Sequence, residues 1–462
     1  MTNYFKYLFF LSVLFLFGSC QFSKEKTTTY FGGKIINPKS NYVLLFDQDK
    51  LIDSLVLDAN STFIGTYENF KEGFYSFFHG SENQFVYIQS NDSISLRLNT
   101  WDFDESLVFD GIGGEKNNLL VDFFLETERD RKNYAFSSFY ALQPDIFKSK
   151  MDSILSRKQE KISLFKKAHP EIPMAYLNLL DVFAKYPIYN RFEYYPEAHR
   201  KRTGTKEFPK VTPGFYSYRS NINLSDPALV SLRTYNDYAI YRIYNNVFSK
   251  GVSDDNEDLF ITELLASVNN STDLEEFRNT LLRQVLMSYF VENSTGSINK
   301  DAFYDFFKLS SNIEDKKQIQ RLLNDIKNLH EEQKLPDFYV VDYNKTKQSI
   351  QKLTRNKNTV LFFWNPRYYS NRSLVARMEF LSKKHPNIYF ISVKTDLINE
   401  HHTKGFDIKN QFYLDKESSA NEFLTSKLPR TLLINRKGVI FNSFASFHKA
   451  IISKQIEELE KN

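Results

Sequence analysis

The first part of the chain alternates apolar and polar residues in short runs. Between residues 30 and 114 these runs are separated by turn residues at intervals of about 8–12 positions, the spacing of strands in an antiparallel sandwich. Ile94, Leu96 and Leu98 alternate with polar residues, as in a strand with one solvated face. No helical spacing interrupts this region. The pattern therefore predicts a β-sandwich domain over residues 30–114.

A period of three to four residues replaces the alternation between residues 115 and 334, which predicts a helical domain. One predicted helix carries the apolar positions Leu229, Leu232, Tyr235, Ala239, Ile243 and Val247. Residues 186–225 are rich in Tyr, Pro and charge, so we interpret them as a connection between helices. Its basic cluster, residues 199–202, is interpreted as part of a solvated loop, with a contact to anionic lipid or glycan as the alternative.

From residue 335 onward, the pattern becomes strand, helix, strand. Residues 359–364 are an almost unbroken apolar run, as expected of a strand buried on both faces. Residues 388–393 form a second such run, and a hairpin over residues 431–441 and a final helix follow. The order predicts an α/β domain over residues 335–462.

The amino terminus resembles a secretory leader. The apolar run over residues 7–17 follows Lys6 and is too short to cross a hydrocarbon core of about 30 Å. Small residues and then Cys20 come directly after it, an arrangement that resembles the lipobox of bacterial lipoproteins. The resemblance implies a signal peptide over residues 1–19, palmitate-type acylation of Cys20 and a tether over residues 20–29. An ordinary secretory signal with an incidental cysteine is the alternative.

If Cys20 carries lipid, the protein lies in the cell envelope, facing the periplasm or the cell surface, and we expect the outer membrane. The inner membrane is not excluded by the sequence. No other stretch is apolar and long enough to span a bilayer.

Composition narrows the classes of function. The 462 residues include 60 Lys and Arg against 56 Asp and Glu, and they contain no long basic run, so no nucleic-acid partner is expected. One cysteine permits neither an internal disulfide nor a cysteine metal site. His401 and His402 with Asp396 or Glu400 are the candidates for a metal site, but adjacent histidines point away from each other on a regular element, so an ordinary polar loop is the preferred interpretation. We predict no metal and no cofactor.

Four segments of the carboxy-terminal region carry a family resemblance: residues 335–338, 340–342, 360–364 and 428–438. Together they look like the thioredoxin-like domain of TlpA/ResA-type envelope proteins, and the upstream β-region resembles the small β-domain that precedes it in Bacteroidota lipoproteins. In that family a strand ending in Phe-Trp leads to Cys-x-x-Cys at a helix start. The resemblance also implies a cis-proline facing the active site, which corresponds here to Pro429. The predicted fold class is thus multidomain: a β-sandwich, a helical middle and a thioredoxin-like domain.

The chain departs from this family at the reactive positions. Counted from Trp364, the two cysteines of the family correspond to Tyr368 and Asn371. Thiol–disulfide exchange needs an attacking thiolate and a second thiol that resolves the mixed disulfide, and neither residue supplies one. We therefore predict a chain that is not an enzyme and has no catalytic residue.

The groove of such a domain can still bind an extended peptide by strand addition. The candidate binding residues are Trp364, Tyr368, Tyr369, Asn371 and Pro429, and the helix start near Asn371 suits an anionic group. The alternative is that Tyr368 and Asn371 only fill space and cap the helix.

Three functions remain open at this point. The first is non-catalytic binding of an extended polypeptide or an envelope protein partner. The second is a relative of envelope thiol–disulfide oxidoreductases that acts with the cysteines of a partner. The third is a purely structural lipoprotein.

Overall fold

The computed structural model describes residues 27–462 except 49, 81, 137, 253, 255, 256, 293–298, 367, 396–401, 404, 406, 450 and 462. The predicted signal peptide and Cys20 lie outside the described residues.

The strands are β1 (Thr28–Ile36), β2 (Tyr42–Asp47), β3 (Lys50–Val56), β4 (Thr62–Glu68), β5 (Gly73–His79), β6 (Glu82–Ile88), β7 (Ser93–Asn99), β8 (Val108–Ile112), β9 (Tyr339–Asp342), β10 (Lys347–Ser349), β11 (Thr359–Trp364), β12 (Tyr389–Lys394), β13 (Gln411–Tyr413), β14 (Arg430–Ile434) and β15 (Ile440–Asn442). The α-helices are α1 (Gly114–Phe136), α2 (Pro144–Ala168), α3 (Met174–Thr203), α4 (Arg233–Ser249), α5 (Glu257–Asn269), α6 (Glu275–Glu292), α7 (Lys300–Leu309), α8 (Ile313–Asn328), α9 (Ile350–Thr354), α10 (Asn371–Lys384) and α11 (Ile451–Lys461).

The chain divides into two compact units. One runs to residue 137 and adds residues 157–184, and the other comprises residues 138–156 and everything from residue 185 onward. The protein is therefore multidomain, with sheets and helices in both units. The contacts do not separate the predicted helical region, 115–334, from the sheets on either side, because the apolar faces of its helices need a partner surface.

The first unit holds two four-stranded sheets with the orders β4-β1-β7-β8 and β3-β2-β5-β6. Buried side chains from both sheets form one core, among them Phe31, Val43, Phe77 and Leu96. The alternation predicted for β7 is present, because its apolar residues are buried and the polar residues between them are exposed. β1 begins at Thr28, so the last two residues of the segment predicted as a tether, 20–29, belong to the sheet.

The second unit contains a seven-stranded sheet with the order β10-β9-β13-β12-β11-β14-β15. β11 is parallel to β12 and antiparallel to β14, and β14 is antiparallel to β15. Helices α10 and α11 pack on one face of this sheet. This is a thioredoxin-like arrangement, so the prediction of such a domain is confirmed. Every residue of β11 is buried, as its apolar run indicated.

The segment interpreted as a connection over residues 186–225 is instead mostly helical. Helix α3 continues through Pro187 and Pro196, and the basic cluster, residues 199–202, lies in its last turn. His199 is buried and its ring bonds to a backbone carbonyl at 2.8 Å, while Arg200 pairs with two carboxylates. The interpretation as a solvated loop is therefore wrong, because burial of aromatic neighbours offsets the helix-breaking effect of the prolines.

Candidate functional site

The loop that follows β11 contains Tyr368, and Asn371 follows it at the start of α10; these are the two positions predicted to correspond to the thiols of the resembled family. The backbone N–H groups of Tyr368 and Tyr369 both donate to the carbonyl oxygen of Asn365, at 3.0 Å each. This turn leads directly into α10, whose N-cap is Ser370: its hydroxyl accepts from the backbone N–H of Ser373 at 3.1 Å. A tight turn thus fixes where each of these side chains points.

Trp364, the last residue of β11, does not lie on the surface. It is 2% exposed and belongs to the apolar cluster between the sheet and α10, beside Leu374 and Met378. The prediction that Trp364 lines a binding surface is therefore corrected. A large aromatic side chain at the end of a central strand stabilises the fold by packing in the core, since burying it removes much apolar area from water.

Tyr369 fills the space beside the sheet. Its ring lies 5.7 Å from that of Phe362 and 4.3 Å from that of His448, measured between centroids. Its hydroxyl donates to the carbonyl oxygen of Ser373 at 3.3 Å. Burial raises the pKa of this phenol, with Arg377 acting in the opposite direction. The group therefore stays protonated near neutral pH and packs as an aromatic plug.

Tyr368 and Asn371, the two residues predicted to correspond to the cysteines of the resembled family, are exposed. Tyr368 is 46% exposed, so nearly half of its surface is accessible to a ligand. The side-chain oxygen of Asn371 accepts from the hydroxyl of Thr403 at 3.4 Å. The cap of α10 is Ser370, so the alternative that gave the capping role to Asn371 is wrong.

Pro429 precedes β14 and is half-buried. No peptide bond among the described residues is cis, so the bond between Leu428 and Pro429 is trans. The expectation of a cis-proline at this position is therefore wrong. Pro429 still places the chain beside β11, because Arg430 is paired with Phe363 in the sheet.

Arg430 is the residue near this loop that sequence reasoning missed. Its buried guanidinium donates to four backbone carbonyls, at distances of 2.6–3.1 Å. These carbonyls belong to Asp325, Leu329, Phe423 and Ser443. Burial lowers the pKa of this guanidinium to about 9, and the charge of Asp325 raises it, so Arg430 stays charged at neutral pH. A charged residue at the start of an otherwise apolar strand was the available signal.

Asp325 completes the same network from α8. Its carboxylate accepts from the backbone N–H groups of Thr425 and Ser426, at 2.8 and 2.9 Å, and from the hydroxyl of Thr425. The segment that leads to Pro429 is thus held by α8, a helix that the predicted boundary at residue 335 places outside the domain.

His448 and Arg377 border the loop on the other side. Arg377 donates to the carbonyl oxygens of Phe447 and Lys449, at 2.8 and 2.6 Å. Burial against the aromatic rings lowers the pKa of His448, and the charges of Arg377 and Lys449 lower it further. The imidazole is therefore neutral at pH 7. The site offers hydroxyl, amide and imidazole groups for hydrogen bonds and aromatic surface for stacking.

The residues considered for a metal site lie mostly outside the described residues, because Asp396, Glu400 and His401 are not described. Within the described part of the chain, no cluster of three or more His, Cys, Asp or Glu is placed to hold a metal ion. In the same residues, no helix combines the length and the apolar character that crossing a membrane requires.

No protein-family model matches this chain, and no curated protein matches it. Among solved structures, it is similar to the thioredoxin domain of a thiol-disulfide oxidoreductase from Bacteroides vulgatus, with 17% identity over 28% of this chain and 97% of that one and a TM-score of 0.24. A thiol:disulfide interchange protein from Bacteroides sp. shares 17% identity over 29% and 92%, with a TM-score of 0.24. The pneumococcal exposed lipoprotein thioredoxin from Streptococcus pneumoniae shares 17% identity over 28% and 100%, with a TM-score of 0.21. The assignment of the thioredoxin-like fold rests on the strand order of the sheet itself.

Proposed function

We propose that this protein is a lipid-anchored cell-envelope protein whose thioredoxin-like domain is redox-inactive and binds an extended polypeptide or a protein partner without catalysis. The observation that carries the proposal is the pair of exposed residues, Tyr368 and Asn371, at the positions of the family's two thiols. They stand where the family carries its reactive thiols, and their side chains can contact a ligand but cannot exchange disulfides.

The single cysteine of the chain supports the proposal that the domain is redox-inactive. The chain has one cysteine, at position 20, far from this loop in sequence. Exchange of a disulfide passes through a mixed disulfide that a second thiol resolves, so one cysteine cannot complete the cycle alone. If Cys20 is acylated, no free thiol remains.

The surface that stays open has the character of a peptide site. Tyr368 presents an exposed aromatic ring, and Asn371 presents an amide at the start of α10. Pro429 lies at the neighbouring strand, where this fold offers backbone groups to an extended chain. Tyrosine combines apolar contact with a hydroxyl at low entropic cost, which suits recognition of varied side chains.

Binding is tested with the purified full-length protein and a fluorescent, reduced and carboxymethylated polypeptide, whose anisotropy reports association. We expect Tyr368→Ala to weaken binding about tenfold or more, the usual cost of truncating a central aromatic anchor. The matched control is Tyr339→Ala, because Tyr339 is 55% exposed on the same domain at β9. Equal affinity of both variants and the wild type would remove this site from the function.

The lipid anchor is tested separately. Cells that express the protein are fed labelled palmitate, and acylation is located by mass spectrometry of the first mature peptide. We expect label on the wild type and none on Cys20→Ser, which should also leave the membrane fraction. Label that persists in Cys20→Ser would contradict the assignment of Cys20.

A relative of envelope oxidoreductases that acts with a partner's cysteines is the second candidate. This candidate predicts that adding the protein to a cysteine-containing partner protein accelerates the disulfide exchange that the partner carries out. A purely structural lipoprotein predicts neither acceleration nor polypeptide binding.

A further inference from the structure

The two outer faces of the sandwich differ in how their apolar residues are arranged. The sheet β4-β1-β7-β8 turns Ser93, Ser95 and Arg97 of β7 outward, and Tyr30 and Lys34 of β1 lie beside them in register. This face is mixed, because the exposed apolar residues Ile64, Val108 and Ile112 are scattered among these polar ones. The outer face of β3-β2-β5-β6 differs in that its apolar residues lie next to one another across neighbouring strands.

Half of that second outer face is covered within the same unit. Phe74 of β5 and Phe85 of β6 pack against Phe183 of α3, with ring centroids 5.6 and 6.3 Å apart. Tyr87 of β6 packs against Tyr176 of the same helix at 5.2 Å. Aromatic residues on the outside of β5 and β6 thus have a partner surface in the chain.

Among the described residues, the other half has no helix packed on it by the aromatic contacts that cover the first half. Its apolar side chains, which we call the β2–β3 patch, are Tyr42, Leu44, Phe46, Leu51, Val56 and Phe78. Strand pairing places them on one side: Tyr42 faces Val56, Phe46 faces Leu51 and Leu44 faces Phe78. Val56 is 72% exposed, Leu51 49% and Tyr42 46%. Contiguous exposed apolar surface of this kind marks contact with a protein or a membrane.

A second copy of the chain is a poor occupant for this patch. A stable dimer needs about 20–30 residues from each partner, and the patch offers six. Pairing through the edge strand is also opposed, because β3 carries a bulge where it meets β2 and places Lys50 and Asp53 along the strand. Bulges and charges are the features that keep edge strands apart.

The length of chain before β1 favours a lipid surface. Cys20 and Thr28 are eight residues apart, which spans at most about 28 Å when fully extended. A lipid anchor at Cys20 would therefore hold the sandwich against the bilayer. Under that restraint a weak contact suffices, because tethering raises the effective concentration of the second site.

We propose that the β2–β3 patch rests on the interface of the lipid bilayer that holds the anchor. This inference rests on the acylation of Cys20 proposed above. Tyr42 and Phe46 supply the aromatic rings that favour the headgroup level, and Leu51 and Val56 supply apolar area. The outer face of the other sheet, where polar residues such as Ser95 and Arg97 separate the apolar ones, then points away from the lipid.

The test uses two exposed serines as matched probe sites. Ser54 lies on the outer face beside the patch, paired with Leu44, and Ser95 lies on the outer face of the other sheet. Acylated full-length Ser54→Cys and Ser95→Cys proteins are labelled with an environment-sensitive dye and placed in phosphatidylcholine vesicles that contain a brominated lipid. Mass spectrometry first confirms acylation at Cys20, which leaves the introduced cysteine as the single free thiol.

We expect blue-shifted emission and quenching by the brominated lipid at position 54 and neither change at position 95. Adding Val56→Asp to Ser54→Cys should abolish both changes, while the exposure of Val56 leaves the fold intact. Identical emission at both positions in an acylated protein would overturn the docking and leave the anchor standing. Disulfide crosslinks between copies at position 54 alone would assign the patch to a second copy. An unmodified Cys20 would overturn the anchor and this inference with it.

Discussion

Arg430 concentrates the polar interactions that hold the thioredoxin-like domain together. Its guanidinium donates hydrogen bonds to four carbonyl oxygens, two of them at the end of α8. It also lies 4.0 Å from the ring centroid of Phe444. Arginine suits this place because its planar fork has five donors and no acceptor. The charge is buried among partial negative charges of the backbone, so its removal leaves acceptors without donors.

Replacing Arg430 with alanine should lower the free energy of unfolding by about 3–5 kcal/mol, the range for breaking a buried charged network. Urea denaturation of the full-length protein measures the change. Arg436→Ala is the control, since Arg436 is exposed in the turn between β14 and β15 and its replacement should cost no more than about 0.5 kcal/mol. Equal midpoints for the two variants would contradict the role of the network.

His448 makes stability depend on pH with a definite sign. Its pKa is lowered in the folded protein, so the unfolded chain binds the proton first as the pH falls. The free energy of unfolding should therefore decrease below about pH 6.5, the ordinary value for histidine. His448→Gln should reduce this loss between pH 7.5 and 5.5, measured by chemical denaturation.

At the scale of elements, the start of α10 is set by one hydroxyl. Ser370 has extended backbone geometry and accepts from the N–H of Ser373, as an N-cap does. Ser370→Ala should cost about 1 kcal/mol of stability, whereas Asn371→Ala should cost less than half of that. Thermal or urea unfolding of both variants decides between the two residues. A larger loss for Asn371→Ala would return the capping role to it.

Helix α8 belongs energetically to the thioredoxin-like domain. Asp325 and Leu329 bond to Arg430, and residue 334 forms a bridge to Val439 at the sheet edge. A fragment of residues 335–462 loses these contacts, and a fragment of residues 312–462 keeps them. We expect the longer fragment to unfold cooperatively and the shorter one to be markedly less stable, by circular dichroism during urea titration. Equal stability of the fragments would show that α8 is dispensable.

At the scale of the whole molecule, thiol–disulfide exchange depends on how many thiols the chain carries. A chain with a single cysteine should not reduce insulin disulfides in the presence of dithiothreitol above the uncatalysed rate. Turbidity measured with the purified protein checks this, and an active thioredoxin serves as the positive control. Turnover that survives in Cys20→Ser would contradict the redox-inactive proposal.

The elements that sequence reasoning found are those with a strong local period. β7 alternates strictly, and β11 is apolar throughout, so both were predictable without knowledge of the rest of the chain. β1 was missed in part because Thr28 and Thr29 read as polar tether, although Thr29 is fully buried. Helix α3 was misjudged because Pro187 and Pro196 are local breakers, and tertiary packing overrides them.

The sequence predicted which segments form the candidate site, but it did not predict which side chains there are buried or which residue caps the helix. Position in the chain placed Tyr368, Asn371 and Pro429 near one another, since they follow or precede paired strands. The burial of Trp364 and the capping by Ser370 depend on which neighbours arrive from elsewhere, which no local pattern encodes.

The sequence by itself determined the number and position of the thiols, because these do not change on folding, and the redox-inactive proposal follows from that count. It also determined the alternation and the apolar runs, since strand and helix periods are local. Only the tertiary structure decided which apolar surfaces are covered. Phe74, Phe85 and Tyr87 of β5 and β6 pack against α3, whereas Tyr42, Leu51 and Val56 of the β2–β3 patch stay exposed in the described chain. Burial is a property of what packs on a residue and not of the residue itself.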